Sequence, residues 1–125
     1  MSMVAAINAS GRRVLVCDAD RQRAATIGAL VAFRRHAVRL VHDAREVGAA
    51  CLAVAPDVLV FELSLGAEAA ELVGAWLTEH APAVRRVFVC ATAAEAAPWL
   101  RRRIAHHTLL RPIAIHELWT FVESP

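Results

Sequence analysis

The run Val58-Leu59-Val60-Phe61-Glu62 decides the fold of this chain. It is rich in β-branched residues, follows the turn signal Ala55-Pro56-Asp57, and lacks the in/out alternation of a half-solvated strand. Such a run predicts a strand buried on both faces, the central kind in a parallel sheet. Its acid, Glu62, falls at the carboxyl end, where open α/β sheets place their ligand crevice. Three further runs share the design: Val14-Leu15-Val16-Cys17 leads into Asp18, Val87-Phe88-Val89-Cys90 into Ala91-Thr92, and Leu109-Leu110 into Arg111-Pro112.

Helical patterns lie between these strands. Asp20 caps a helix predicted over residues 21–35, with Ala24, Ala25, Ile27, Leu30 and Val31 on its apolar face. Ala37 to Val41 alternates and reads as a shorter strand. Asp43-Ala44-Arg45-Glu46 has capping-box spacing and opens a second helix that stops before Pro56. After Gly66 a third helix runs from Ala67 to His80, with Leu72, Val73, Trp76 and Leu77 inward, and Pro82 follows its end. A fourth helix begins near Ala94, with Pro98 assigned to its first turn, and carries Trp99, Leu100 and Ile104. A last one spans Ile115 to Val122. This β-α alternation, repeated five times, requires right-handed crossovers and a parallel sheet between two layers of helices. The predicted fold is α/β and flavodoxin-like, (βα)5, with strand order 2-1-3-4-5.

The chain of 125 residues makes one domain, assigned to residues 12–123. Residues 1–11 read as a tail, and Ser124-Pro125 as the start of a linker or the C-terminal end. With 58% hydrophobic and 21% charged residues it is globular, and its longest apolar runs are strand-length and broken by charge, so no membrane span is expected. The net charge is +2, and the clusters Arg34-Arg35, Arg85-Arg86 and Arg101-Arg102-Arg103 carry no interleaved aromatics, so they read as solvated faces rather than a nucleic-acid surface. Cys17, Cys51 and Cys90 are isolated and read as buried thiols of a cytoplasmic protein. His106-His107 reads as a cation pair at a helix end. Cys17 to Arg23 also fits C-x5-R after a strand, as in low-molecular-weight tyrosine phosphatases. However, the loop holds acids that repel a phosphate dianion and lacks the glycines of a phosphate cradle.

The motifs Val14-Leu15-Val16-Cys17-Asp18, Pro56-Asp57-Val58-Leu59-Val60-Phe61 and Leu110-Arg111-Pro112-Ile113, in this order and spacing, make the chain resemble a response-regulator receiver domain over residues 13–122. The resemblance implies a module of two-component signalling. In such a module a histidine kinase phosphorylates an aspartate beside Mg²⁺-binding acids, a lysine and a hydroxyl. Four positions depart from that pattern. Glu62 stands for the aspartate, Ala19 follows Asp18 where a second acid belongs, Ala91 takes the hydroxyl position with Thr92 one place late, and Arg111 replaces the lysine. Asp20 could replace the lost acid but also suits an N-cap. A Glu62–Arg111 ion pair is expected, worth ~1–3 kcal/mol as charge-assisted hydrogen bonds. The Arg111-Pro112 bond is expected to be cis, as the resemblance implies.

The reading is a phosphorylation-independent receiver without cofactor or catalysis. It would act on a protein partner or as a homodimer, and would control an output such as a DNA-binding transcription domain. The face that receivers commonly use carries Trp99, Arg101, Arg102, Ile104, Trp119 and Phe121 here. The alternatives are a working phosphoacceptor using Glu62 or Asp18, with those two acids as ligands for any Mg²⁺, or a small-ligand-binding domain.

Overall fold

The computed structural model describes residues 11–125; the tail assigned to residues 1–11 lies outside them apart from Gly11. Five strands form one parallel sheet: β1 (Arg13–Cys17), β2 (Ala37–Val41), β3 (Val58–Glu62), β4 (Arg85–Cys90) and β5 (His107–Leu110). Their order is β2-β1-β3-β4-β5, as expected. Five helices alternate with them: α1 (Arg21–Phe33), α2 (Val47–Val54), α3 (Ala67–His80), α4 (Ala93–Arg101) and α5 (Ile115–Glu123).

Period-two alternation sorts the strand residues by shape. Val14, Val16, Val58, Val60, Val87 and Val89 point to one face and pack with Ala24, Ile27 and Val31 of α1 and Leu118, Phe121 and Val122 of α5. Leu15, Cys17, Leu59, Phe61, Phe88 and Cys90 point to the other, against α2, α3 and α4. Compact valines thus meet the two-helix layer. The larger side chains meet the three-helix layer, where the rings of Phe61 and Phe88 lie 5.0 Å apart. Every residue of β3 is buried, so its run without alternation is explained by helices on both sides. Each large side chain buried this way contributes about 1.5–3 kcal/mol.

Local chemistry sets the element ends. Asp20 caps α1 through the Arg23 amide, and Thr92 caps α4 through the Glu95 amide. Gly66, at φ 108°, makes the turn into α3 in a backbone region that side chains disfavour. Gly74 lets α3 approach the chain after α4, because a Cβ there would lie 2.8 Å from Ile104.

Several expectations are corrected. α1 ends at Phe33, because Arg35 turns left-handed at φ 67°. Ala25 on α1 and Leu72 on α3 face outward; each lies one step off its helix's buried stripe. Pro98 sits in the second turn of α4, not the first: it is the sixth residue of Ala93–Arg101, and even from a start at Ala94 it would be the fifth, past one 3.6-residue turn. His106 is no helix-end cation. Its Nδ1 accepts the Arg86 amide at 2.9 Å, and burial with the nearby Arg86 and Arg85 holds its pKa below the usual range. His107 begins β5 and stacks on Phe121. No helix among the described residues is long and apolar enough to cross a membrane.

Candidate functional site

The site forms at the carboxyl ends of β1, β3 and β5. Asp18 and Glu62 continue the valine side of their strands, the side that α1 covers. Both acids are buried, at 0% and 1% exposure. A buried carboxylate is tolerated only when it is hydrogen-bonded and paired, and α1 and the β5–α5 connection supply the cations. Arg23, in the first turn of α1, grips Asp18 in a fork: Nε donates to Oδ2 at 2.7 Å and Nη2 to Oδ1 at 2.8 Å. The Asp20 amide donates to the same Oδ1 at 2.9 Å. The fork raises the Arg23 pKa further, chiefly through its hydrogen bonds to Asp18. Arg111 donates through Nη1 to Glu62 Oε2, which also accepts the Ser64 amide at 3.0 Å. The expected Glu62–Arg111 pair is therefore present. Arg23 ties the two pairs together: its Nε lies 3.7 Å from Glu62 Oε1, and its Nη2 donates to Ser64 Oγ at 3.4 Å.

The result is a quartet of two carboxylates and two guanidiniums with balanced charge. The other positions named from sequence surround it without joining it. Asp20 is an N-cap, its carboxyl held below the usual range first by the Arg23 amide. Ala19 is exposed. Thr92 Oγ1 accepts the Glu95 amide at 3.3 Å as a helix cap, and the Ala91 amide donates to Glu95 Oε2. Pro112 follows a cis bond, as expected. His42 closes one flank, its Nδ1 2.9 Å from the Asp18 carbonyl oxygen.

These residues do not fit a divalent cation. Both Asp18 oxygens are bound by Arg23, Glu62 Oε2 is bound twice, and only Glu62 Oε1 lacks a hydrogen bond. Mg²⁺ requires near-octahedral oxygen coordination. Among the described residues no three His, Cys, Asp or Glu side chains converge on one point.

Sequence reasoning missed the role of Arg23. The available signal was the alternation that puts Asp18 and Glu62 on the face of α1, together with a basic residue in that helix's first turn. In the sequence Arg23 stands out only as the end of the C-x5-R pattern; in the structure its partner is the Asp18 carboxylate. Cys17 is fully buried and its thiol is pushed up to about 12, mainly by burial, so it is no thiolate nucleophile.

The interaction face is corrected in composition. Trp99 and Phe121 are 7% exposed and belong to the core, and Ile104 packs on the core at Gly74. Trp119 lies on the opposite layer, where its Nε1 donates to the Leu30 carbonyl at 2.9 Å. Of the named set, Arg101 and Arg102 are exposed; Arg102 lies over the Trp99 ring and pairs with Glu71.

Strand order and helix layers are those of the flavodoxin-like fold, with two buried, arginine-paired acids at the strand ends. No family model matches the chain, and no curated protein matches it. Solved structures do. The chemotaxis response regulator CheY4 of Vibrio cholerae superposes with a TM-score of 0.77 at 15% identity, over 90% of this chain and 97% of that one. A CheY-like response regulator receiver domain protein of Methanospirillum hungatei gives 0.77 at 17% identity, over 90% and 91%. NtrX of Brucella abortus, solved in complex with ATP, gives 0.78 at 20% identity, with 90% of this chain covering 26% of that one. At these identities the likeness establishes the fold.

Proposed function

We propose that this chain is a receiver-type signalling module that works without phosphorylation, its pocket held closed by cations of its own. It acts by protein–protein contact in the cytoplasm and passes its state to an output such as a transcription domain. One observation carries the reading: Arg23 and Arg111 occupy the oxygens of Asp18 and Glu62 that a metal would need. A phosphoryl group arriving at Glu62 would have to displace Arg111 and leave both acids without a metal to offset the added charge. Glu62 also places its carboxylate one methylene further out than aspartate would, on a scale where near-attack geometry is decisive.

The test is calorimetric titration with MgCl₂, alone and with beryllofluoride, followed by intact-mass analysis after incubation with acetyl phosphate. The proposal expects no saturable heat and no phosphoryl mass gain. Saturable beryllofluoride binding would identify a working phosphoacceptor and overturn it.

A further inference from the structure

The two helical layers present opposite surfaces. α2 reads Val-Gly-Ala-Ala-Cys-Leu-Ala-Val, without one polar side chain. A helix apolar all round is normally buried on all sides. Here Val47, Ala50 and Cys51 face the core, while Ala49, Leu52 and Ala53 face outward, with Leu52 79% exposed. Beside it α3, which Gly48 meets at Trp76, exposes Leu72 together with Glu68, Glu71 and Glu79 and holds no Arg or Lys. This surface is apolar with an acidic border, relieved where Arg102 pairs with Glu71 and where Arg45, exposed on the turn before α2, pairs with Asp43.

On the opposite layer the α1 side has the complementary character, while α5 contributes Glu117 and Glu123. α1 contains no acid. Phe33 at its end is 77% exposed and stacks on Trp119 at 6.1 Å, next to Leu30 and the exposed Arg34 and Arg35. Arg34 is shared with Glu123 of α5 and lies 4.8 Å over the Trp119 ring. Single exposed apolar residues are ordinary, but an aromatic pair bordered by arginines marks an interface.

We infer that a second copy of this chain covers α2 and α3, docking the Phe33 end of its own α1 on Leu52. Pairing the acidic face with itself would bring Glu68 and Glu79 up against the same acids of the second copy, which like-charge repulsion opposes. The basic aromatic face meets both needs, apolar and electrostatic. Because the faces lie on opposite sides of the sheet, the contact is heterologous: it propagates into a ring or an open row. The inference specifies the protein contact in the proposed function, but its test uses neither metal nor phosphoryl donor, so the two fail separately.

The experiment is sedimentation velocity over a concentration series at low and high salt, using the chain, Phe33→Glu, Leu52→Glu and an equimolar mixture of the variants. Both positions are exposed, and circular dichroism checks the fold. The chain is expected to gain mass beyond a dimer with concentration and to lose it with salt. Each variant alone weakens association by about tenfold or more, as expected for one large buried apolar side chain. The mixture recovers a two-chain species and stops there, because one intact face remains on each molecule. A chain monomeric at every concentration overturns the inference. So does a variant that associates alone as strongly as the parent chain, which would indicate a contact elsewhere, or a mixture that stays monomeric. Salt-sensitive binding of Phe33's face to RNA or anionic vesicles without self-association would also overturn it.

Discussion

Arg23→Gln tests the quartet most directly. The substitution removes two charge-assisted bonds, at 2.7 and 2.8 Å, from an Asp18 side chain that is 1% exposed. Breaking a buried ion pair by deleting one partner costs ~3–5 kcal/mol. Arg23 itself is 36% exposed, so water replaces part of what it supplied, and the expected loss falls to about 2–3 kcal/mol. For a domain of this size that corresponds to a fall in Tm of roughly 6–15 °C. Asp18→Asn alone costs less, because Arg23 can still reach Glu62. The double variant should recover stability relative to the sum of the singles, with a coupling of about 1–3 kcal/mol. Urea denaturation followed by circular dichroism at pH 7 gives all four corners of the cycle. Added MgCl₂ should stabilise Arg23→Gln more than the parent chain, since Asp18 then lacks its cation while Arg111 still holds Glu62 Oε2. A variant within about 0.5 kcal/mol of the parent, or strictly additive singles, would refute the assignment of Arg23 as the pocket's resident cation.

Other outcomes follow from separate parts of the fold. Gly74→Ala should destabilise by about 1–3 kcal/mol, because the added methyl meets stiff Ile104, and should become stabilising in an Ile104→Ala background, where helix propensity alone counts; thermal melts of the four proteins read the reversal. Thr92→Ala should cost about 1 kcal/mol as a lost helix cap and leave any divalent-ion titration unchanged, as equilibrium unfolding and calorimetry would show. His106 has a folded pKa below its unfolded value of 6.5, so the unfolded chain binds its proton first. Its contribution to stability is full above pH 6.5 and is lost as pH falls through the folded value; His106→Asn should flatten that part of the urea midpoint against pH. Glu123, held low chiefly by Arg34, behaves alike at lower pH: the cost of Arg34→Ala should be full above about pH 4.5 and fade below it.

The architecture was legible because its signals are local. Uninterrupted valine-rich runs ending in turn residues give the strands, and Asp20 and Gly66 bracket their helices as caps and punctuation should. The pairing of Glu62 with Arg111 was legible through strand order, which brings the end of β3 near the chain after β5. Arg23 was harder to see. Its reach to Asp18 depends on how far α1 leans over the sheet, and five residues of separation across a strand-to-helix turn do not encode that distance. The errors at Leu72 and Ala25 came from taking an apolar residue as a buried one. Trp99 and Phe121 failed in the opposite direction, since aromatic and arginine neighbours suggested a surface where the rings in fact fill the core.

The guanidinium held against Asp18 has one further consequence. A cation carried on the chain's own first helix has no free concentration and cannot be exchanged, diluted or chelated away. A domain wired in this manner is expected to keep one electrical state through any swing in magnesium concentration.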